Sequence, residues 1–247
     1  MSASNILYST QYKINEHISI EIPRVRDVLG INRDDDAGEN AYYGMVATLV
    51  ATPRDLMVQL DDIGIDFTEL DDYELFIMLF GSLKEQDTSI IFGDLDLSRF
   101  DLTKNQENGE IILMNHESGA TIDRAIHYQI CQVIRKIHRL EHPKGKPANA
   151  AGKKYMIERA RIKMKRRSGK SESSQLEELI IALVNTEQFN YKFHEVLDLS
   201  IYQFNESVHQ IVKKINFDHT MSGIYSGTIS ASDIKDKHNK LNWLTNK

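Results

Sequence analysis

The chain has 247 residues, 41% apolar and 27% charged, which is enough for a buried core in one large domain or two modest ones. Its net charge of −6 is unevenly spread: eleven Lys and Arg and one acid, Glu158, lie between Lys144 and Lys170, leaving 19 basic and 35 acidic residues elsewhere. No apolar run nears the roughly 20 residues that span a bilayer, Met1–Thr10 lacks the basic start and apolar stretch of a signal peptide, and the single Cys131 excludes an internal disulfide or thiolate cage.

The pattern predicts an α+β, predominantly helical fold. Ile18-Ser-Ile-Glu-Ile22 alternates with period two and Pro23 closes it as a strand. A helical run follows, then a polar loop from Asn32 to Asn40 that contains Asp34, Asp35 and Asp36. A helix is expected over roughly Ala41 to Ala51, and Thr52-Pro53-Arg54-Asp55 reads as the start of another. Thr68 to Asp71 repeats that capping logic, with Leu70, Tyr73, Ile77 and Phe80 on one buried face of the helix beyond. The short apolar runs Ser89–Phe92 and Ile111–Met114, separated by the turn-rich stretch from Asn105 to Gly109, predict a small β layer. Ile122, Ile126, Ile130, Val133, Ile134 and Ile137 mark a helix that ends before Pro143.

Three parts are expected along the chain. Residues 1–142 form an α+β N-terminal domain, and residues 143–174 a basic, partly helical connector whose Pro, Gly, Lys and Asn composition suits an exposed link. Residues 175–247 form a helical domain with an irregular docking tail. Its helices are announced by the capping boxes Ser174-Gln-Leu-Glu177 and Ser200-Ile-Tyr-Gln203 and by the stripe Phe204, Val208, Ile211, Val212 and Ile215. Beyond Ser222 the periodicity fades, and Ile224, Tyr225, Trp243 and Leu244 are the expected partner-binding anchors, since aromatic side chains remove large apolar areas from water at interfaces.

Tests for catalysis fail on spacing. Arg167-Ser-Gly-Lys-Ser171 ends like a phosphate-binding loop, but Met164 stands where its first glycine belongs and no strand precedes it. His138 and His142, four apart, lack a third ligand and the glutamate of a zinc hydrolase, and the Asp61/Asp62 and Asp71/Asp72 pairs suit solvated faces and helix starts. No Gly-x-Ser-x-Gly elbow exists, and Cys131 lies among apolar neighbours as a core residue. The expectation is therefore no enzyme, no cofactor and no metal. The basic patch of Lys153, Lys154, Arg159, Arg161, Lys163, Lys165, Arg166 and Arg167 is the footprint of nucleic-acid binding, yet Tyr155 is its only aromatic and the rest of the chain is acidic. Pairing with the protein's own acidic surface, or with an acidic partner, is the favoured reading.

From Glu177-Glu-Leu-Ile-Ile-Ala-Leu-Val184 through Leu197-Asp-Leu-Ser-Ile-Tyr-Gln-Phe-Asn-Glu-Ser207 to Ser222-Gly-Ile-Tyr-Ser-Gly-Thr-Ile229 and Leu241-Asn-Trp-Leu244, the sequence resembles tail-module proteins of tailed phages and prophages of low-GC Gram-positive bacteria. Within that group it looks most like a tail assembly chaperone. The resemblance implies a cytoplasmic protein of the infected host that coats the tape-measure protein until tail-tube subunits polymerise around it, with other tail proteins or a further copy of itself as partners. A structural component of the tail, baseplate or connector, retained in the virion, is the alternative, and a nucleic-acid-associated phage protein comes third. The chain exceeds the usual length of such chaperones, and its basic belt departs from their pattern.

Overall fold

Alternation along the first hairpin places Ile18, Ile20 and Ile22 on one face, where all three are buried. The computed structural model describes residues 6–31, 38–106, 108–167, 174–234 and 241–244, and of Arg167 the backbone alone. Strands β1 (Gln11–Lys13) and β2 (Ser19–Glu21) pair antiparallel with Tyr12 opposite Ile20. The Asn15 carboxamide oxygen accepts from the His17 and Ile18 amides and shapes the turn between them. Helix α1 (Val25–Val28) follows Pro23, and α2 (Glu39–Leu49) buries Tyr42, Met45, Val46 and Leu49 at helical spacing. The three aspartates 34 to 36 lie outside the described residues.

Thr52 to Asp55 form a capped turn, in which Thr52 Oγ1 donates to the Asp55 carboxylate at 2.7 Å, and the helix proper, α3 (Met57–Asp62), begins a turn later than the sequence implies. Helix α4 (Asp72–Lys84) is capped by Asp71, which accepts from the Glu74 amide at 2.9 Å while Glu74 accepts from the Asp71 amide. It is buried on two sides rather than one. Tyr73, Phe76, Phe80 and Leu83 enter the main core, and Leu75 turns the other way into a second cluster with Leu60, Phe67 and Ile157.

Ser89–Phe92, expected as a strand, is the short helix α5. The Asp87 side chain accepts from the Ser89 amide at 3.0 Å and starts the turn, and Gly93 at φ 60° ends it. A 3-10 turn (Leu97–Arg99) leads into the three-stranded antiparallel sheet of β3 (Asp101–Lys104), β4 (Ile111–Met114) and β5 (Thr121–Ile122), in that spatial order. Ile122, read from sequence as the head of a helical stripe, is a strand residue. Helix α6 (Arg124–His138) starts after it, where Asp123 accepts from the Ile126 amide at 2.8 Å. The Tyr73 hydroxyl donates to the Ile122 carbonyl at 2.8 Å and fastens α4 to the sheet.

The basic segment holds the long helix α7 (Ala150–Arg167), seated on α3 by Ile157. Helices α8 (Gln175–Val184), α9 (Phe193–Val196) and α10 (Ile201–Tyr225) follow. Buried residues from both sides of the expected boundaries share one cluster, from Ile6 through Phe100 and Ile134 to Leu176, Val196 and Phe204. Backbone bonds join them as well: the Val25 amide donates to Leu199 at 2.9 Å and the Ile201 amide to Pro23 at 2.8 Å. At the start of α8, the Glu39 carboxylate accepts from the Leu176 amide at 2.9 Å and from the Ser174 hydroxyl, so a side chain of α2 caps a helix far along the chain. The fold is helix-rich α+β, with ten α-helical segments and two small antiparallel sheets among the described residues.

Candidate interaction surface on the C-terminal helix

Helix α10 begins inside the core and leaves it. Ser200 and Gln203 form a reciprocal capping box, and Ile201 and Phe204 behind it are fully buried. The next turn is tied to the body by polar contacts. Gln203 Nε2 donates to the Leu7 carbonyl at 2.8 Å, Asn205 Nδ2 to that of Ile137 at 3.2 Å, and Glu206 pairs with Arg139 at 2.6 Å. Val208 and Ile211 are the last apolar side chains of α10 packed on the main core among the described residues. From there to Tyr225 the helix runs on for about 21 Å, at 1.5 Å per residue. That stretch carries Val212, half exposed, and Ile215, Phe217, Met221 and Ile224, partly buried.

The tail folds back along this helix. The Ile229 amide donates to the Gly223 carbonyl at 2.9 Å, and its side chain lies so close that a Cβ on residue 223 would sit 2.6 Å from Ile229 Cδ1. A larger residue at 223 would have to push the end of the Ile229 side chain aside. Further along, Gln210 Nε2 donates to the Trp243 carbonyl at 2.5 Å, and the Lys214 ammonium stands 5.3 Å from the centre of the indole ring. Asp218 fixes the same ammonium from the other side at 2.5 Å.

Beside Gln210 opens a groove of about 460 Å³ between α10 and the segment after α8. Phe189 and Tyr191 form its aromatic wall, their ring centres 5.2 Å apart, Ile211 contributes from α10, and Gln188, Asn190 and Gln210 place three carboxamides around it. Sequence reading missed this site, because Gln210 and Trp243 are 33 residues apart and neither belongs to a periodic stripe that signals the other.

Residues 167–246 match the family model of the YomV second domain. The comparisons with curated proteins and with solved structures return no match. The YomV second-domain match takes in α8, α9, α10 and the described part of the tail, and so includes the groove, the Trp243 seat and all four expected anchors. Of those anchors, Ile224 and Trp243 are partly buried, whereas Tyr225 is 82% and Leu244 72% exposed. The structure thus brings Trp243 onto α10 and leaves Tyr225 and Leu244 facing outward.

Most of the basic patch precedes the YomV-like span. Lys153 pairs with Asp66 at 2.5 Å, and Arg161 donates to Asp62 at 2.7 Å and to Asp61 at 3.0 Å. The Lys153 contact, with the Thr68 amide and hydroxyl, holds the Asp66 carboxyl down at about 2. Arg159 lies over the Tyr155 ring at 5.7 Å, and Lys154, Lys163, Lys165 and Arg166 are exposed. Of Arg167 only the helical backbone is described, and residues 168–171 of the loop-like Gly-Lys-Ser stretch lie outside the described residues.

The structure also brings together residues that look catalytic in projection. Cys131 Sγ is 3.3 Å from His127 Nε2, but both are buried, and the thiol donates to the Leu49 carbonyl at 3.3 Å. Burial pushes the thiol up to about 12 and the imidazole down to about 4, so both stay neutral, whereas a nucleophilic pair needs a thiolate beside an imidazolium. His138 and His142 do not share a helix face. Arg139 turns left-handed at φ 53° and ends α6, so His138 meets the Tyr42 hydroxyl at 2.9 Å inside the core while His142 meets Asp72 at 2.8 Å outside it. Among the described residues no group of three or more His, Cys, Asp or Glu is placed to hold a metal ion, and no helix is long and apolar enough to cross a membrane.

Proposed function

We propose that this chain is a non-enzymatic phage morphogenesis protein that works by binding other proteins through α10 and its tail, as an assembly chaperone for the tape-measure protein. The match of residues 167–246 to the YomV second domain, a domain of a Bacillus phage or prophage protein, carries the phage context. The outer part of α10 and the tail folded on it support the binding role, because they present Val212, Tyr225 and Leu244 outside the core, as apolar and aromatic side chains stand at interfaces. The neutral, buried Cys131 and His127 and the divergent His138 and His142 agree with a role without catalysis.

An assembly chaperone leaves when the tube polymerises, so mass spectrometry of purified particles should find no copies of this chain. Affinity capture of the tagged chain from cells in the late stage of phage production should return the tape-measure protein. A fixed number of copies per particle would replace this reading with a structural role in the tail, baseplate or connector.

A further inference from the structure

The groove beside α10 and the Trp243 seat share one residue, Gln210, and together they have the chemistry of a peptide site. A carboxamide can donate to a main-chain carbonyl and accept from a main-chain amide at once, and Gln188, Asn190 and Gln210 surround a trough walled by Phe189 and Tyr191. One such bond is already made: Gln210 Nε2 holds the carbonyl of Trp243, and one turn further along the same face Lys214 stands over the indole. The chain itself therefore supplies a segment, Leu241-Asn-Trp-Leu244, whose backbone and aromatic ring are recognised at the rim of the groove. Leu244 projects 72% exposed beyond the seat.

We propose that this groove and seat form a peptide-binding site whose occupant in trans is the Leu241–Leu244 segment of a second copy of this chain. The inference rests on the protein-binding reading of α10 given above and names one partner for it. The contacts of Trp243 with Gln210 and Lys214 can equally be made between copies, since these side chains recognise a carbonyl and a ring without regard to which chain carries them. Exchange of an identical element costs little in contact energy and is governed by effective concentration, of the order of millimolar for a segment tethered to its own seat. A dilute chain keeps its own tail, and copies crowded on a long template trade tails and become linked head to tail.

Trp243 is the only tryptophan, so its emission reports the seat directly. One full-length variant breaks the seat (Gln210→Ala with Lys214→Ala) and a second breaks the tail (Trp243→Ala with Leu244→Ala). The first alone should emit further to the red than the unmodified protein. Adding the second, which has no tryptophan and an open seat, should return the emission toward the blue, saturate at one chain per chain, and double the mass measured by light scattering. A chain carrying both lesions should do neither. Gln210→Glu, which accepts but cannot donate to the Trp243 carbonyl, is the alternative seat variant if the double substitution lowers the thermal midpoint. An unshifted seat variant, no recovery at about 1 mM of added chain, or the same recovery from the doubly broken chain overturns the proposal. None of these outcomes touches the particle composition or the tape-measure capture, which test the parent reading separately.

Discussion

Replacing Trp243 and Leu244 together by alanine measures how firmly the tail is seated on α10. The Gln210 bond goes to a main-chain carbonyl, which the substitution leaves in place. Leu244 is 72% exposed and removes little apolar area from water. What is lost is the Lys214 contact with the indole, worth about 0.5–1 kcal/mol at such a site, and the partial burial of the ring. The sum is about 2–4 kcal/mol, because most of the Trp243 surface is out of water. For a chain of this size that corresponds to a fall of about 4 °C or more in thermal midpoint. Differential scanning calorimetry, with urea titration as a check that the slope is unchanged, measures it. A loss below about 1 kcal/mol (under about 2–4 °C) would mean that the ring gains little on α10, and would refute the description of Trp243 as seated there.

Limited trypsin digestion should cut between Lys144 and Lys170, and the two pieces should still elute together from gel filtration, because the Val25–Leu199 and Pro23–Ile201 bonds and the shared core join them. Separate elution of the pieces under native conditions would sink that expectation. His127 and His138, both pushed by burial down to about 4 from an ordinary value near 6.5, bind fewer protons folded than unfolded between those pH values. Stability should therefore be fully present above pH 6.5 and decline as pH falls toward 4, and His138→Gln, which retains a partner for the Tyr42 hydroxyl, should flatten the decline of the urea midpoint. An unchanged slope in that variant would show that His138 does not titrate as its burial implies.

Legibility in the sequence followed the range of the interaction. Capping residues act within three positions of themselves, and Ser174 and Ser200 start their helices as read, as the Ile18, Ile20 and Ile22 alternation makes its strand. Ser89–Phe92 misled because four apolar residues carry no period, and the deciding signal was the Asp87 side chain just outside the run. Ile122 misled by standing in helical register with Ile126 while Asp123, between them, marks the true helix start. The basic segment looked like a linker because two adjacent apolar side chains, Met156 and Ile157, dock its helix together with the Lys153 and Arg161 ion pairs, and two neighbours raise no periodic pattern. The groove was illegible altogether, since a carboxamide and a carbonyl 33 residues apart leave no trace in either local sequence.

The junction between the start of α1 and the residues just before α10 has a bearing on how the molecule is made. Arg26 Nε reaches the Leu197 carbonyl at 3.4 Å, across 171 residues of chain, and Ile201 and Phe204 enter the core immediately afterwards. Synthesis at about 5–20 residues per second leaves the N-terminal hairpin without these neighbours for about 10–35 s. During that interval Ile18, Ile20 and Val25 wait beside an unfilled space, open to holdases and to neighbouring nascent chains, and a ribosome that stalls before residue 201 would release a product with an open core. The N-terminal core thus closes only when α10 arrives, and a product cut short before it leaves Ile18, Ile20 and Val25 without their cover.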